Sequence, residues 1–113
     1  MDKLTHYRQI IKRVLSQYVE LAQQTPSPGV ESFLIADEQN DHYMLFSLGW
    51  EQRQRVRNFR VYVRLHNNKI WIEHDLTEEG IATDLLEAGV PKEDIVLAFH
   101  APEMRPYTEF AAA

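Results

Sequence analysis

The sequence predicts a single α+β domain spanning residues 1–113: an N-terminal amphipathic helix, a four-stranded, mainly antiparallel sheet laid out as a meander, a second helix and a packed C-terminal tail. Three observations predict it. Apolar residues between Leu4 and Leu21 recur at alternating steps of three and four, the helical period. From residue 31 to 74 the period becomes two, and clusters of turn residues separate the runs. Beyond Thr77, a carboxylate-rich opening and a Gly89 stop bracket a second helix.

In the first helix Leu4, Tyr7, Ile11, Val14, Tyr18 and Leu21 form one stripe, with Lys3, Gln9, Lys12, Arg13, Ser16, Gln17, Glu20 and Gln23 elsewhere on the surface. Thr25-Pro-Ser-Pro-Gly29 ends it, because proline cannot continue a helix. A coiled-coil dimer would use the same spacing, but the stripe is too short to favour that over a helix laid on a core.

Glu31 to Ala36 reads as a short strand, followed by the polar turn cluster Asp37 to Asp41. His42 to Trp50 carries Met44, Leu45, Phe46 and Leu48 in near-continuous apolar order, which predicts a strand buried on both faces at the sheet's centre. Val56 to His66 alternates: Phe59, Val61, Val63 and Leu65 on one side, Asn58, Arg60, Tyr62, Arg64 and His66 on a wet side. Asn67-Asn68 suits a two-residue turn at positive φ, and Lys69 to His74 returns with Ile70 and Ile72 inward and Trp71 outward.

The second helix runs from Thr77 to Ala88, with Glu78 and Glu79 at its positive end and Ile81, Leu85 and Leu86 on the buried side. Gly89 stops it and Pro91 follows. Ile95 to Phe99 is either a last strand or an apolar plug, since five residues are too few for periodicity to decide. Pro102 and Pro106 make the tail irregular, while Met104, Tyr107 and Phe110 suggest that it packs down.

At 113 residues the chain can bury one real core, and 44% apolar with 26% charged residues is ordinary for a globular protein. No apolar run approaches the ~20 residues of a membrane span, and no basic, apolar leader opens the chain, so a cytoplasmic location without membrane contact is the expectation. The absence of cysteine excludes disulfides, thiolate metal sites and a cysteine nucleophile. A net charge of -5 repels phosphate, so any contact with DNA requires a segregated basic patch.

Such a patch exists. Arg53, Arg55, Arg57, Arg60 and Arg64 fall within twelve positions, and Arg60 and Arg64 share the wet strand face with Tyr62. Arginine and aromatic side chains on one face suit an acidic partner or nucleic acid. Arg53, Arg55 and Arg57 have the opposite parity, so all five join only if a bulge near Asn58 shifts the register. The bland alternative is a solvated face whose long side chains cover the sheet.

The acidic run Glu73, Asp75, Glu78 and Glu79, with His74 inside it, has the residue types of a small metal-dependent hydrolase. Helix capping accounts for it better, because carboxylates complement the first helical turn. His6, His42, His66, His74 and His100 lack the short repeat of a zinc site. Four scattered glycines make no phosphate loop, and Ser16, Ser27, Ser32 and Ser47 stand in no nucleophile elbow. No catalytic residue, cofactor or metal ligand is therefore assigned.

Lys69-Ile-Trp-Ile, Glu79-Gly-Ile-Ala, Ala88-Gly-Val-Pro-Lys-Glu-Asp-Ile-Val-Leu and Arg105-Pro-Tyr-Thr-Glu-Phe-Ala, together with Asp41-His-Tyr-Met-Leu and Gly49-Trp50, resemble the XisI family over nearly the whole chain. That resemblance implies a cytoplasmic, noncatalytic accessory factor in the programmed excision of a cyanobacterial DNA element, the fdxN element. It also implies a site-specific recombinase and a companion protein, XisH. The companion resembles restriction-type nucleases, so antitoxin-like restraint of a nuclease is a second implied reading. Where the family pattern has His-x-Asp in the third strand, this chain has Tyr62-Val63-Arg64.

The expected partner contacts are Arg53, Arg55, Arg57, Arg60, Tyr62 and Arg64, with an exposed Trp71 as anchor. Direct DNA binding through the arginine face is the alternative. A homodimer through a sheet edge or the first helix suits a chain of this size.

Overall fold

The computed structural model describes residues 2–24 and 28–113. The order of elements is α1 (Lys3–Gln24), β1 (Val30–Asp37), β2 (His42–Glu51), β3 (Gln54–His66), β4 (Lys69–Asp75), α2 (Ile81–Glu87) and β5 (Ile95–Leu97), with 3-10 segments at Lys92–Asp94 and Pro102–Tyr107. Of the expected terminator Thr25 to Gly29, the first three residues, Ser27 among them, lie outside the described residues.

The sheet has five strands in the order β1-β2-β3-β4-β5, and β5 runs parallel to β4, so it is mixed where four mainly antiparallel strands are expected. β4, α2 and β5 form a crossover, the connection a parallel pair needs. With only three residues, β5 is too short to announce itself by period. β2 lies second from an edge, not at the centre.

Tyr7, Ile10, Ile11, Val14 and Leu15 of α1 pack with Tyr43, Leu45, Val61, Val63, Leu65, Ile70 and Ile72 of the sheet and with Ile81 and Leu85 of α2 in one core. Both helices therefore cover the same face. Leu21, at the end of the expected stripe, is exposed, whereas Ile10 and Leu15 beside the stripe are buried.

Polar clasps tie α1 down. Arg8 donates to both carboxylate oxygens of Asp41, Nε to Oδ1 at 2.8 Å and Nη2 to Oδ2 at 3.1 Å. That bond, opposed by burial and aided by the Tyr43 hydroxyl, holds Asp41 below the usual carboxylate range. At the helix start Tyr7 donates to Asp94 at 2.5 Å and Lys3 pairs with it at 2.9 Å. Burial alone would raise the Asp94 carboxyl, but these two partners outweigh it and lower it.

α2 begins at Ile81, four residues after the expected Thr77. Asp75 does the capping: Oδ1 accepts from Thr77 N at 2.9 Å and Thr77 Oγ1 at 2.6 Å, and Oδ2 accepts from Ile81 N at 2.7 Å. The helix ends as expected at Gly89, φ +99°, where Val90 N donates to Leu85 O and Gly89 N to Leu86 O, each at 3.0 Å. These crossed bonds are the Schellman closure, and Val90 is buried beneath it.

The tail is irregular, as its prolines require, but only part of it packs. Phe110 rests on the core, while Met104 and Tyr107 are exposed.

Candidate docking face

β3 carries one extra residue. Leu45 of β2 stands opposite Val61, yet its neighbour Phe46 stands opposite Phe59, so Arg60 has no partner in β2. Its carbonyl accepts from Leu76 N at 2.9 Å, a bond outside the β2–β3 ladder. This is a β-bulge, and it inverts the parity of everything before it in β3.

The inversion regroups the arginines. Reading across from β2, Met44 faces Tyr62, Phe46 faces Phe59, Leu48 faces Arg57 and Trp50 faces Arg55. Arg55, Arg57, Phe59, Tyr62 and Arg64 thus share the sheet face turned away from both helices. The bulge near Asn58 that five arginines required does occur, but it casts Arg60 off the patch. Arg60 lines a cleft of about 470 Å³ on the helix side with Ala22, Ser32, Ser47 and Asn58. Phe59 likewise leaves the side of Val61 assigned to it by simple alternation.

Arg53 lies at the tip of the β2–β3 hairpin, in the turn Gln52-Arg53. From Trp50 to Arg60 every residue but Val56 is exposed, so the hairpin is a solvated arm. Arg55 lays its guanidinium 5.3 Å from the Trp50 ring centre and donates to Gly49 O at 3.3 Å. Among the described residues Arg53, Arg55 and Arg57 have no carboxylate partner.

The rest of the face is apolar. β1 adds Phe33 and Ile35 opposite Phe46 and Met44, and the Phe33 and Phe46 rings stack at 5.9 Å. Phe59 meets Tyr62 edge-on at 5.9 Å and His74 at 4.9 Å. Met44, Phe46 and Leu48 are half-buried, Ile35 and Phe59 are each 39% exposed, and Trp50 is 57% exposed. The near-continuous apolar run of β2 therefore serves two purposes: Tyr43 and Leu45 fill the core, and Met44, Phe46 and Leu48 build a second surface that no helix covers.

Trp71, expected to be an exposed anchor, is 8% exposed. It points away from Ile70 and Ile72 as expected, but its indole donates to His66 O at 2.8 Å, and its ring lies 5.3 Å from the Arg64 guanidinium and 5.6 Å from that of Arg105. Arg105 comes from the tail, which covers this end of the face. Tyr62 and Arg64 are satisfied locally: Tyr62 Oη lies 2.7 Å from His42 Nδ1 and Arg64 Nε donates to Glu73 at 2.8 Å.

The acidic run does not gather. A second register shift in the β3–β4 ladder, where Tyr62 faces His74 but Val63 faces Ile72, leaves Glu73 without a partner residue and separates it from Asp75. Glu73 goes to Arg64 on the open face, while Asp75 caps α2 beside the core. Chemically, the open face offers apolar area, ring edges and unpaired guanidinium groups, the composition of a docking surface.

The family model described as XisI protein matches residues 1–112. The crystal structure of fdxN element excision controlling factor XisI from Anabaena variabilis ATCC 29413 is similar, with 43% identity and a TM-score of 0.85 over 99% of this chain and 100% of that one. A XisI-like protein from the same strain is 33% identical, with a TM-score of 0.89 over 97% of this chain and 99% of its own. No curated protein matches the chain.

Proposed function

The chain belongs to the XisI family, and on that premise we propose that it is a noncatalytic accessory factor in the excision of a DNA element, working by docking a protein partner on the open face of its sheet. The partner that the family resemblance implies is an XisH-like companion. The observation that carries this reading is the bulge at Arg60, which sets Arg55 and Arg57 beside Trp50, Phe46 and Phe59 on one uncovered face. Arginine and aromatic residues dominate interface energetics, and the unpaired guanidinium groups call for carboxylates on the opposing surface.

The test is a binding titration of the purified companion against the wild type and against Trp50→Ala with Arg57→Glu, both exposed positions. Hot-spot losses of about 2 kcal/mol or more predict at least tenfold weaker binding. Equal affinity of the two proteins would remove the open face from the account.

One observation favours a second reading, direct contact with DNA: the arm carries Arg53, Arg55 and Arg57 without carboxylate partners among the described residues. The apolar character of the adjoining face and the net charge of -5 favour a protein instead. Binding to duplex DNA that weakens steeply with salt would support the DNA reading.

A further inference from the structure

We propose that the outer edge of β1 pairs with the β1 edge of a second copy of this chain, joining two sheets across a two-fold axis. The sheet has two edges and treats them differently. At β5 the chain covers its own edge: Ala111 bridges Val96, and Ala111 N donates to Ile95 O at 2.9 Å. At β1 no such cover exists among the described residues.

Trp50 N donates to Gly29 O at 2.8 Å. Since an antiparallel ladder alternates every two residues, Glu31, Phe33 and Ile35 bond to β2, while Val30, Ser32, Leu34 and Ala36 turn their N–H and C=O groups outward. Natural edges are blunted by proline, lysine or a bulge. β1 has no proline or lysine, and its register with β2 is unbroken from Val30 to Asp37. Its charged residues, Glu31 and Asp37, stand near its two ends, and between them it offers a largely apolar template.

The occupant follows from symmetry and charge. Antiparallel self-pairing of one strand is isologous and closes with two copies. Residues directly opposite share a face, so the axis must pass beside a single residue. An axis at Leu34 would set Glu31 against the second copy's Asp37, a repulsive pair. An axis at Phe33 sets Glu31 against Ile35 and Val30 against Ala36, keeping the carboxylates apart. It also brings the two Phe33 rings together, so that the stacked Phe33–Phe46 pairs of both copies run on as one aromatic row.

The experiment is sedimentation velocity of the full chain over a concentration series, which needs no companion protein and so stands or falls separately from the proposed partner. The wild type should sediment as twice 13.3 kDa. Ile35 is 39% exposed, so a charged side chain there can reach solvent. Ile35→Glu places a carboxylate against Glu31 twice per dimer and should weaken association about tenfold, whereas Ile35→Lys should match or exceed the wild type. Ala36→Pro, which deletes an outward N–H at an exposed position, should weaken association with an unchanged circular dichroism spectrum. A wild type that is monomeric throughout, or a dimer that responds alike to glutamate and lysine at residue 35, would overturn the assignment.

Discussion

Phe46 stands opposite Phe59 while the preceding residue, Leu45, stands opposite Val61. That one-residue discontinuity decides what the open face is made of. Without it Arg60 would share the face with Tyr62 and Arg64, and Arg55 and Arg57 would point to the helix side. With it, the aromatic pair at the break is flanked by Leu48 and Arg57 on one side and by Met44 and Tyr62 on the other.

Asp75 is a structural carboxylate, and removing it should cost stability. Asp75→Ala strips acceptors from Thr77 N, Thr77 Oγ1 and Ile81 N. The expected loss is about 1–3 kcal/mol, read from the urea midpoint at constant m-value. Asp75→Asn should lose less, since its amide oxygen retains part of the set. An unchanged midpoint in the alanine variant would contradict the capping role.

Acid should loosen the clasps of α1. Asp41 and Asp94 are both held below the ordinary carboxylate value, so each contributes stability that is present above the unfolded pKa of about 4 and lost as pH falls through the lower folded value. Urea midpoints should therefore drop on acidification below pH 4. In Asp41→Asn the midpoint should be lower at neutral pH and its decline with acid shallower. Parallel pH profiles for the variant and the wild type would show that Asp41 carries none of the effect.

The two hairpin turns share a backbone but not a chemistry. Asn67 and Asn68 take φ of 52° and 64°, and Gln52 and Arg53 take 50° and 68°. Asparagine tolerates this left-handed region, whereas glutamine and arginine are strained there. Replacing Gln52 with Asn and Arg53 with Gly should stabilise the fold by about 1–2 kcal/mol. A melting temperature that does not rise would refute strain at the tip. The strain lies in the arm that bears the unpaired arginines, the kind of place where function retains it.

Much of this architecture was legible from local chemistry. The three-and-four spacing found α1, the Asn67-Asn68 turn and the alternation around it found the meander, and Gly89 marked the end of α2. What escaped was set by groups distant in sequence. The bulge forms where the Arg60 carbonyl bonds Leu76, beyond β4. Trp71 loses its exposure to Arg105, contributed by the tail. β5 exists because Ile70, Trp71 and Ile72 present an edge to Ile95, Val96 and Leu97, three residues with no period of their own. The Thr77 cap signal was real, since Thr77 Oγ1 accepts from Gly80 N at 3.1 Å, but Asp75 extends the capping to Ile81 and delays the helix.

The open face itself could have been found from composition. A strand with apolar residues on both faces calls for cover on two sides, and one long helix and one short one here cover a single side. The apolar run of β2 was thus the signal of a second apolar face that neither helix covers, although it reads first as a buried centre.

In the proposed docking the bulge sorts the arginines into Arg55 and Arg57, which meet the partner, and Arg60, which does not. Calorimetric titration of the XisH-like companion against Arg55→Glu with Arg57→Glu, and separately against Arg60→Glu, tests it most directly. Binding should weaken at least tenfold for the pair and change within about twofold for Arg60→Glu. Equal weakening by both, or by neither, would contradict it.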